Sequence, residues 1–437
     1  MKDSSIAIVG AGTAGLATAI LLARQGWRVE VLERVPSLQP VGAGILLQPS
    51  GLAVLRELGL FDECTGLGAP VARLFGTSAC GKRVILDTQY QHWQPGSYGL
   101  GIHRGVLMQA LLEAAKGAGV AIRTGVSITR FQQTAQGVAL FATVEGTVEQ
   151  PYGDYGALIL ADGTRSHLRA QMRVRQWVRP YPWGALWSIV PTPADADSTD
   201  LRQWYRGCSQ MFGIMPTGRT HEAPEQRVSS LFWSLPTAGY AAWCEAGLGA
   251  WKNSVTQLAG PQADAFLAHV HSPAQLTLAT YADVRMQQWH DCRVLAIGDC
   301  AHAMSPQLGQ GANMALVDAA ALAAALQHGT SGDLPADWPA VFASYAKTRR
   351  QHLRYYRQAS RLLTPLFQSN SAALAVLRDS ALFLARHLPM GRNHAVTTLV
   401  GGRTGWLFGR TPDTSLHVWR HDSSLRPPDQ PAASVAD

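Results

Sequence analysis

Three glycines near the N-terminus have a spacing that allows the backbone to approach a phosphate group. Gly10, Gly12 and Gly15 follow the apolar run 6–9 and open a segment with helical periodicity. Residues without side chains permit close contact with a pyrophosphate, and the helix that follows offers N–H groups at its start. Glu33, 18 residues after Gly15, is placed to accept hydrogen bonds from ribose hydroxyls. The pattern predicts a dinucleotide-binding site.

A second glycine-containing motif follows another apolar run, residues 294–297. The pair Gly298-Asp299 comes directly after this run, and a loop containing Pro306 then leads to Gly311-Ala312-Asn313 at the start of a long helix. The N–H groups and the dipole at a helix start stabilise negative charge nearby. This segment is therefore expected to face an electron-rich group.

A third motif, Asp162-Gly163, follows the apolar run 157–160. The three motifs, in this order, resemble those of the FAD-dependent class A aromatic monooxygenases of the p-hydroxybenzoate hydroxylase fold, and the resemblance runs from residue 4 to about 330. It implies FAD as the cofactor. By this resemblance the residues that hold FAD are Gly10, Gly12, Ala14, Gly15, Glu33, Arg34, Gly44, Ile45, Arg104, Asp162, Asp299, Gly311, Ala312 and Asn313.

The resemblance also implies individual roles. Arg104 reaches the ribityl chain and the phosphates, Asp299 hydrogen-bonds the ribityl chain, and Pro306 lies beside the flavin ring. The pair Asp162-Gly163 is linked in the family to NAD(P)H use. The backbone at 44–46 approaches the pyrimidine part of the ring, and the helix start at 311–313 faces the edge that carries negative charge.

The family's reaction gives the expected chemistry. NADH or NADPH, bound only transiently, gives a hydride to the flavin, O2 adds to form a C4a-hydroperoxide, and oxygen is delivered to an aromatic or heteroaromatic ring. The cofactor carries this chemistry, while the protein excludes water, positions the ring and promotes its deprotonation. Gln48, Tyr205 and Pro306 are the expected catalytic residues, and His302 is expected to support its loop.

A tryptophan-rich block between about 177 and 282 is expected to supply the substrate pocket. Trp187, Phe212 and Met215 are the predicted lining residues, because aromatic and thioether side chains form a flat apolar wall. The strand 210–215 carries no Arg or Lys, although Arg202 and Arg206 on a neighbouring strand leave an acidic substrate open. The balance favours a neutral or weakly acidic ring.

Periodicity predicts an α/β chain with a βαβ start, a mostly antiparallel block and C-terminal helices. The resemblance implies that a Rossmann-like FAD-binding domain is interleaved with this antiparallel substrate sheet. We assign 1–72, 100–176 and 283–345 to the FAD-binding domain, and 73–99 and 177–282 to the substrate domain. Residues 346–425 form a helical region that reads as helix to about 390, and 426–437 a disordered tail.

Composition excludes several other classes of protein. The 437 residues are 47% hydrophobic and 15% charged, which excludes a disordered protein. The six cysteines show no metal-binding spacing, and neither a signal peptide nor a membrane span is evident. The net charge of +7 and the basic stretch 347–361 do not amount to a nucleic-acid site, and we expect a cytoplasmic monomer or homodimer without a metal.

Three alternatives stay open at the level of sequence. A flavin-dependent halogenase shares the fold, but the spacing of Trp183, Trp187 and Pro191 differs from the halogenase pattern. An FAD-dependent reductase of the same superfamily, or an FAD-binding redox sensor, would use the same cofactor motifs. The sequence does not distinguish ring, decarboxylative and N-hydroxylation, nor NADH from NADPH, and it does not identify the substrate.

Overall fold

The computed structural model describes the helices and strands of residues 5–38, 43–144, 148–196, 198–329, 337–406 and 409. The strands are β1 (Ser5–Val9), β2 (Arg28–Leu32), β3 (Gly44–Leu47), β4 (Ala69–Val71), β5 (Arg73–Ser78), β6 (Val84–Gln89), β7 (Gly99–His103), β8 (Ala121–Arg123), β9 (Val126–Gln133), β10 (Val138–Val144), β11 (Gln150–Tyr155), β12 (Ala157–Leu160), β13 (Gln176–Pro191), β14 (Asp200–Arg206), β15 (Gln210–Gly218), β16 (Val228–Pro236), β17 (Thr277–Met286), β18 (His290–Asp291) and β19 (Val294–Ala296). The helices are α1 (Thr13–Arg24), α2 (Pro49–Glu57), α3 (Phe61–Leu67), α4 (Arg104–Gly117), α5 (Tyr240–Ala259), α6 (Asp264–Leu267), α7 (Asp299–His302), α8 (Gly311–Gly329), α9 (Trp338–Phe367), α10 (Ala372–His387) and α11 (Pro389–Leu399).

A six-stranded sheet carries the three predicted motifs. Its order is β18-β19-β12-β1-β2-β8, and β1, β2, β12 and β19 run parallel. The side chains of Ile6, Ala7 and Ile8 are fully buried, because a parallel strand is covered on both faces. The carboxyl ends of β1, β12 and β19 therefore meet at one edge, where Gly10, Asp162 and Gly298 follow them.

A seven-stranded sheet forms the second large layer, in the order β17-β13-β16-β15-β14-β5-β6. Its neighbours pair antiparallel except for β14 and β5, which run parallel. The segment 73–99 supplies β5 and β6, so the chain passes between the two sheets more than once. This arrangement confirms the predicted α/β fold with an interleaved, mostly antiparallel sheet. The exact domain boundaries stay a prediction.

The larger sheet has two different faces, because successive side chains on a strand point to opposite sides. The outer face carries Leu186 and Phe212 and packs against α5 through Trp251. The inner face carries Trp187 and Met215, among others, and packs against β3 and α11. Any pocket shared with the six-stranded sheet must lie on the inner face.

The C-terminal helices close the molecule on the inner side. α9 has 30 residues and packs against α8, and α10 contacts β6. The helical segment extends beyond the predicted end near 390, to Leu399. Residues 410–437, including the predicted tail, lie outside the described part of the chain. Within the described part, no helix is both long and apolar enough to cross a bilayer.

Candidate active site

The three N-terminal glycines differ in what requires them. At Gly10 the backbone has φ +106°, and an added Cβ would lie 2.5 Å from the carbonyl oxygen of Ala161. At Gly15 an added Cβ would lie 2.0 Å from the Gly10 oxygen, so these two glycines are required by the packing of the chain itself. At Gly12, apart from its chain neighbours, no atom of the described residues lies within 4 Å of the added Cβ. The open space at Gly12, which caps α1, is where a pyrophosphate fits.

Glu33 is fixed beside this glycine turn by the backbone. The N–H of Ala11 donates to Oε2 at 2.9 Å, and the N–H of Val35 donates to Oε1 at 3.1 Å. Each oxygen retains a lone pair, so the carboxylate can still accept hydrogen bonds from ribose hydroxyls. Arg34, which follows it, is exposed at the same strand end.

Ala14 connects the first motif to the second. Gly298 has φ +58°, and an added Cβ there would lie 3.0 Å from the Ala14 Cβ. The turn at the end of β19 can therefore lie directly on α1 only because both residues are small. The contact brings Asp299, the first residue of α7, to the same cleft as Gly12.

Asp299 and Arg104 are close enough in this cleft for their opposite charges to interact. Both residues are exposed to the open cleft. The walls of the cleft nevertheless surround the carboxyl of Asp299, and the resulting loss of hydration raises its pKa. The charges of His302 and Arg104 oppose that rise. A carboxyl group and a guanidinium at this position suit a ligand that carries both hydroxyl and phosphate groups.

His302 is committed to a buried network behind the cleft. Its Nε2 lies 2.6 Å from Oδ2 of Asp318, the same oxygen accepts the Gly298 N–H at 2.9 Å, and Arg349 Nε donates to Oδ1 at 2.7 Å. Burial alone would raise the pKa of Asp318, but His302 and Arg349 hold it well below its usual range. Arg349 also contacts Nδ1 of His352. The network fixes the turn at Gly298, which is the supporting role expected for His302.

Asn313 joins three backbone segments through its fully buried side chain. Its Oδ1 accepts the Gln48 N–H at 2.8 Å, and its Nδ2 donates to the oxygens of Leu46 at 3.3 Å and Gly309 at 3.1 Å. Contact with a cofactor would therefore come from the backbone of α8 and not from this amide. Around Gly311, the first residue of α8, no atom from other described segments of the chain lies within 4 Å of an added Cβ, and its neighbour Ala312 is half-buried.

Packing requires glycine at position 44, and this reason differs from the predicted contact with the cofactor. An added Cβ would lie 2.0 Å from Ser230 Oγ and 2.8 Å from Thr217 Oγ1, so glycine is required for β3 to approach the larger sheet. Ile45 follows it and is half-buried. The strand is thereby held at the border between the cleft and the inner face.

The structure brings together only some of the predicted pocket residues. Trp187 and Met215 lie in the inner-face cluster, which also contains Phe232 and contacts Leu46. Phe212 lies on the outer face, with its ring 5.8 Å from that of Trp204, because it is one residue out of phase with Met215. The prediction for Phe212 is therefore corrected.

Arg202 and Arg206 also face away from the inner cluster. Nη1 of Arg202 donates to Gln262 Oε1 at 3.3 Å, and Nη2 of Arg206 donates to the oxygen of Gln257 at 3.1 Å. Both partners belong to the region of α5 on the outer face. Neither arginine can anchor a substrate carboxylate on the inner face.

Tyr205 is a core residue in this structure. Its hydroxyl donates to Gln203 Oε1 at 2.9 Å, its ring lies 5.4 Å from that of Phe367, and burial raises its pKa. A group that holds its proton so firmly does not act as a base. The structure gives no support to the catalytic role predicted for Tyr205.

Gln48 has a partner that the sequence did not indicate. Tyr90, which is fully buried, donates its hydroxyl to Gln48 Oε1 at 2.7 Å. Among the described residues, Nε2 of Gln48 has no hydrogen-bond partner, although the side chain is fully buried. A buried N–H donor without an acceptor is costly, so this amide is a candidate contact for a ligand. Pro306 begins a short turn of three residues, and the carbonyl of Ser305, which precedes it, accepts from Ser360 Oγ at 3.4 Å.

Comparison with known proteins identifies a family and several relatives. A family model described as FAD binding domain matches residues 3–359. The 6-hydroxynicotinate 3-monooxygenase of Bordetella bronchiseptica is 29% identical over 333 residues, covering 72% of this chain and 81% of that protein. The 3-amino-4-hydroxybenzoate 2-monooxygenase of Streptomyces cremeus is 30% identical over 334 residues, covering 74% and 79%.

A solved structure shows the same fold. Klebsiella pneumoniae HpxO, complexed with FAD and uric acid, matches with a TM-score of 0.75 at 21% identity, over 90% of this chain and 97% of that one. The relatives are monooxygenases, which supports that prediction over the halogenase and sensor alternatives. The predicted family and the FAD-binding fold are confirmed. The chain belongs to the FAD binding domain family, among relatives that are FAD-dependent aromatic monooxygenases.

Proposed function

We propose that this protein hydroxylates a neutral or weakly acidic heteroaromatic ring, using FAD, NAD(P)H and O2. The overall reaction is NAD(P)H + H⁺ + O2 + ArH → NAD(P)⁺ + H2O + ArOH, in which one oxygen atom enters the ring and the other leaves as water. The observation that carries the proposal is the open cradle at Gly12, which the fold does not require and which lies beside Glu33 and Asp299.

The cradle and its surroundings fit FAD. The N-terminus of α1 and Gly12 would hold the pyrophosphate, Glu33 the adenosine ribose, and Asp299 with Arg104 the ribityl chain and phosphates. The start of α8 at Gly311 would direct its N–H groups to the electron-rich edge of the ring. When bound, FAD supplies hydride acceptance and oxygen activation.

The protein's own residues would exclude water and orient the substrate. The inner-face cluster supplies an apolar wall from Trp187, Met215 and Phe232. The Nε2 of Gln48 would donate to a carbonyl or ring nitrogen of the substrate, while Tyr90 holds the amide in this orientation. A deprotonating group is not among these residues.

The charge of the pocket favours a ring without a carboxylate anchor. Arg378 lies over the Tyr205 ring at the edge of the inner-face cluster, but its Nη2 donates to Asp379 at 2.7 Å and its Nη1 to the Gly207 oxygen at 2.8 Å. A buried cation already neutralised in this way is not available to a substrate. A hydroxypyridine or a quinolone presents the acceptor that Gln48 requires.

The test is coupled NADPH or NADH oxidation and oxygen uptake by the FAD-loaded protein, screened over phenols, hydroxypyridines, quinolones and aryl amines, with and without halide. We expect a hydroxypyridine or quinolone to stimulate both signals and to give a product 16 mass units heavier. A halogenated product, or a reduced product formed without oxygen uptake, would assign the site to a halogenase or a reductase instead.

A further inference from the structure

The exposed side of α9 carries a regular series of cations. Lys347, Arg350, Arg354, Arg357 and Arg361 recur every three or four residues, which places them on one face of the helix. The opposite face carries the buried Tyr345, Arg349, His352 and Tyr356. The basic stretch is therefore a stripe with a definite direction, and its C-terminal part differs from the rest because Arg357 is half-buried.

The C-terminal part of this stripe meets a further arginine on β17. Arg285 is paired with Asp283 through Nη2, at 3.5 Å. Burial lowers the pKa of Arg357 most, Arg285 lowers it further, Asp283 raises it, and Arg361 and Arg354 lower it again. We name Arg285, Arg354, Arg357 and Arg361 the arginine cluster. With Asp283 it combines four positive charges and one negative charge, a local excess of three.

The arginine cluster lies beside the cofactor cleft. The N–H of Val284 donates to the oxygen of Ala303 at 2.9 Å, and Ser360 Oγ donates to the oxygen of Ser305 at 3.4 Å. β17 and α9 therefore flank the loop that leads from α7 to Pro306. A cavity of about 520 Å³ opens beside β17, lined by residues that include Thr164, Arg165, Tyr181, Tyr281 and Ala282.

Like charges held this closely are unfavourable unless an anion joins them. Guanidinium groups bind phosphate oxygens through paired hydrogen bonds, and several together suit a polyphosphate better than a single carboxylate. The FAD pyrophosphate is already accounted for by Gly12 and the start of α1. The anion that remains in the proposed reaction is the nicotinamide nucleotide.

We propose that the arginine cluster binds the phosphate groups of the reductant and selects NADPH over NADH. The inference rests on the proposed function. The pyrophosphate of NADH carries two negative charges, fewer than the three excess positive charges of the cluster. The 2′-phosphate that NADPH adds neutralises the positive charge that remains. The nucleotide extends along β17, from the arginines towards this cavity.

Direct binding tests the cluster without requiring turnover. The FAD-loaded protein is titrated in a calorimeter with adenosine 2′,5′-bisphosphate and, separately, with adenosine 5′-monophosphate. We expect the bisphosphate to bind more tightly, with an affinity that falls as salt is raised. Arg357→Gln and Arg361→Gln should each weaken bisphosphate binding about tenfold, since a hydrogen bond to a charged group is lost. Equal affinity of the wild-type protein for the two nucleotides would overturn the selection of NADPH.

Lys347→Gln is the matched control, because it removes one charge from the same helix face, about 15 Å from Arg357 along α9. Its nucleotide affinity should stay within about twofold of the wild-type value. FAD content and melting temperature report whether each variant folds, and Arg357→Gln should not lower the melting temperature, since it relieves repulsion.

Two further results would overturn the inference. One is bisphosphate binding that is the same in the arginine variants as in Lys347→Gln. The other is a loss of affinity for the aromatic substrate, followed by flavin absorbance, with nucleotide binding unchanged, which would assign the arginines to a substrate carboxylate. If no ring stimulates NADPH oxidation while bisphosphate binding still depends on Arg357, the proposed reaction fails and the nucleotide site stands.

Discussion

Substitution of Gly12 separates the requirements of the cofactor from those of the fold. Gly12 has φ −81° and ψ −176°, a conformation that any residue adopts, and the space beside it is open. Gly12→Val should therefore cost the apoprotein only about 0.5–1 kcal/mol, from the poorer helix cap. Gly15→Ala, by contrast, places Cβ 2.0 Å from the Gly10 oxygen, and such overpacking costs about 1–3 kcal/mol or more.

For FAD affinity we expect the reverse order: Gly12→Val should lose more affinity than Gly15→Ala. The valine side chain of Gly12→Val occupies the space of the pyrophosphate and separates it from the N–H groups of α1. Two hydrogen bonds to a charged group, at roughly 1.5–3 kcal/mol each, correspond to a loss of affinity of at least about 100-fold.

The assay uses protein from which FAD has been removed. Urea unfolding gives the free energy of the apoproteins, and quenching of flavin fluorescence during titration gives the FAD affinity. Normal FAD binding by Gly12→Val would refute the assignment of the cradle. A loss of apoprotein stability as large as that of Gly15→Ala would show that the fold, and not the ligand, requires glycine at this position.

Three further predictions concern residues behind and beside the cleft. Asp318→Asn should lower the free energy of unfolding by about 3–5 kcal/mol, because a buried guanidinium loses its counter-charge. Folding lowers the pKa of Asp318, so its contribution to the free energy of unfolding is complete above about pH 4 and is lost as the pH falls. In urea titrations the stability of the variant should therefore fall less steeply with acid than that of the wild-type protein. An unchanged slope would contradict this. Tyr90→Phe should cost about 1–2 kcal/mol and raise the substrate KM, as should Gln48→Leu, and an unaltered KM in both would remove Gln48 from the pocket. Phe212→Ala should destabilise the protein by about 3–5 kcal/mol with little change in substrate KM, whereas Trp187→Ala should raise KM; the reverse pattern would exchange the two faces.

The sequence could predict the strand ends that form the proposed cofactor cleft because their signals are local. The glycines at 10, 12 and 15 and the Gly298-Asp299 pair each follow a buried strand directly, so their placement depends on a few neighbouring residues. Parallel strands then bring their carboxyl ends to one edge without further information. Even so, the pattern did not show that Gly15 is required by packing and Gly12 is not.

The substrate side was predicted less well because its contacts are distant in sequence. Alternation along β15 separates Phe212 from Met215, but only the order of the strands and the position of α5 decide which side faces the cleft. Tyr90 and Gln48 are 42 residues apart and belong to no shared periodicity. The arginines of α9 were evident as a basic stretch, but their meeting with Arg285 depends on how α9 crosses the loop after α7.

The position of β1 in its sheet also constrains how the protein is made. β1 lies between β2 and β12, and the cleft beyond it is completed only by β19 and α8, which come much later in the chain. About 300 residues separate Val9 from Gly311, which at roughly 5–20 residues per second is about 15–60 s of synthesis. Between the synthesis of β12 and that of β19, β12 has an edge with no neighbour on the β19 side. The complete cleft therefore exists only after α8 has been synthesised, so a cofactor that needs both ends of this interval binds after most of the chain has been made.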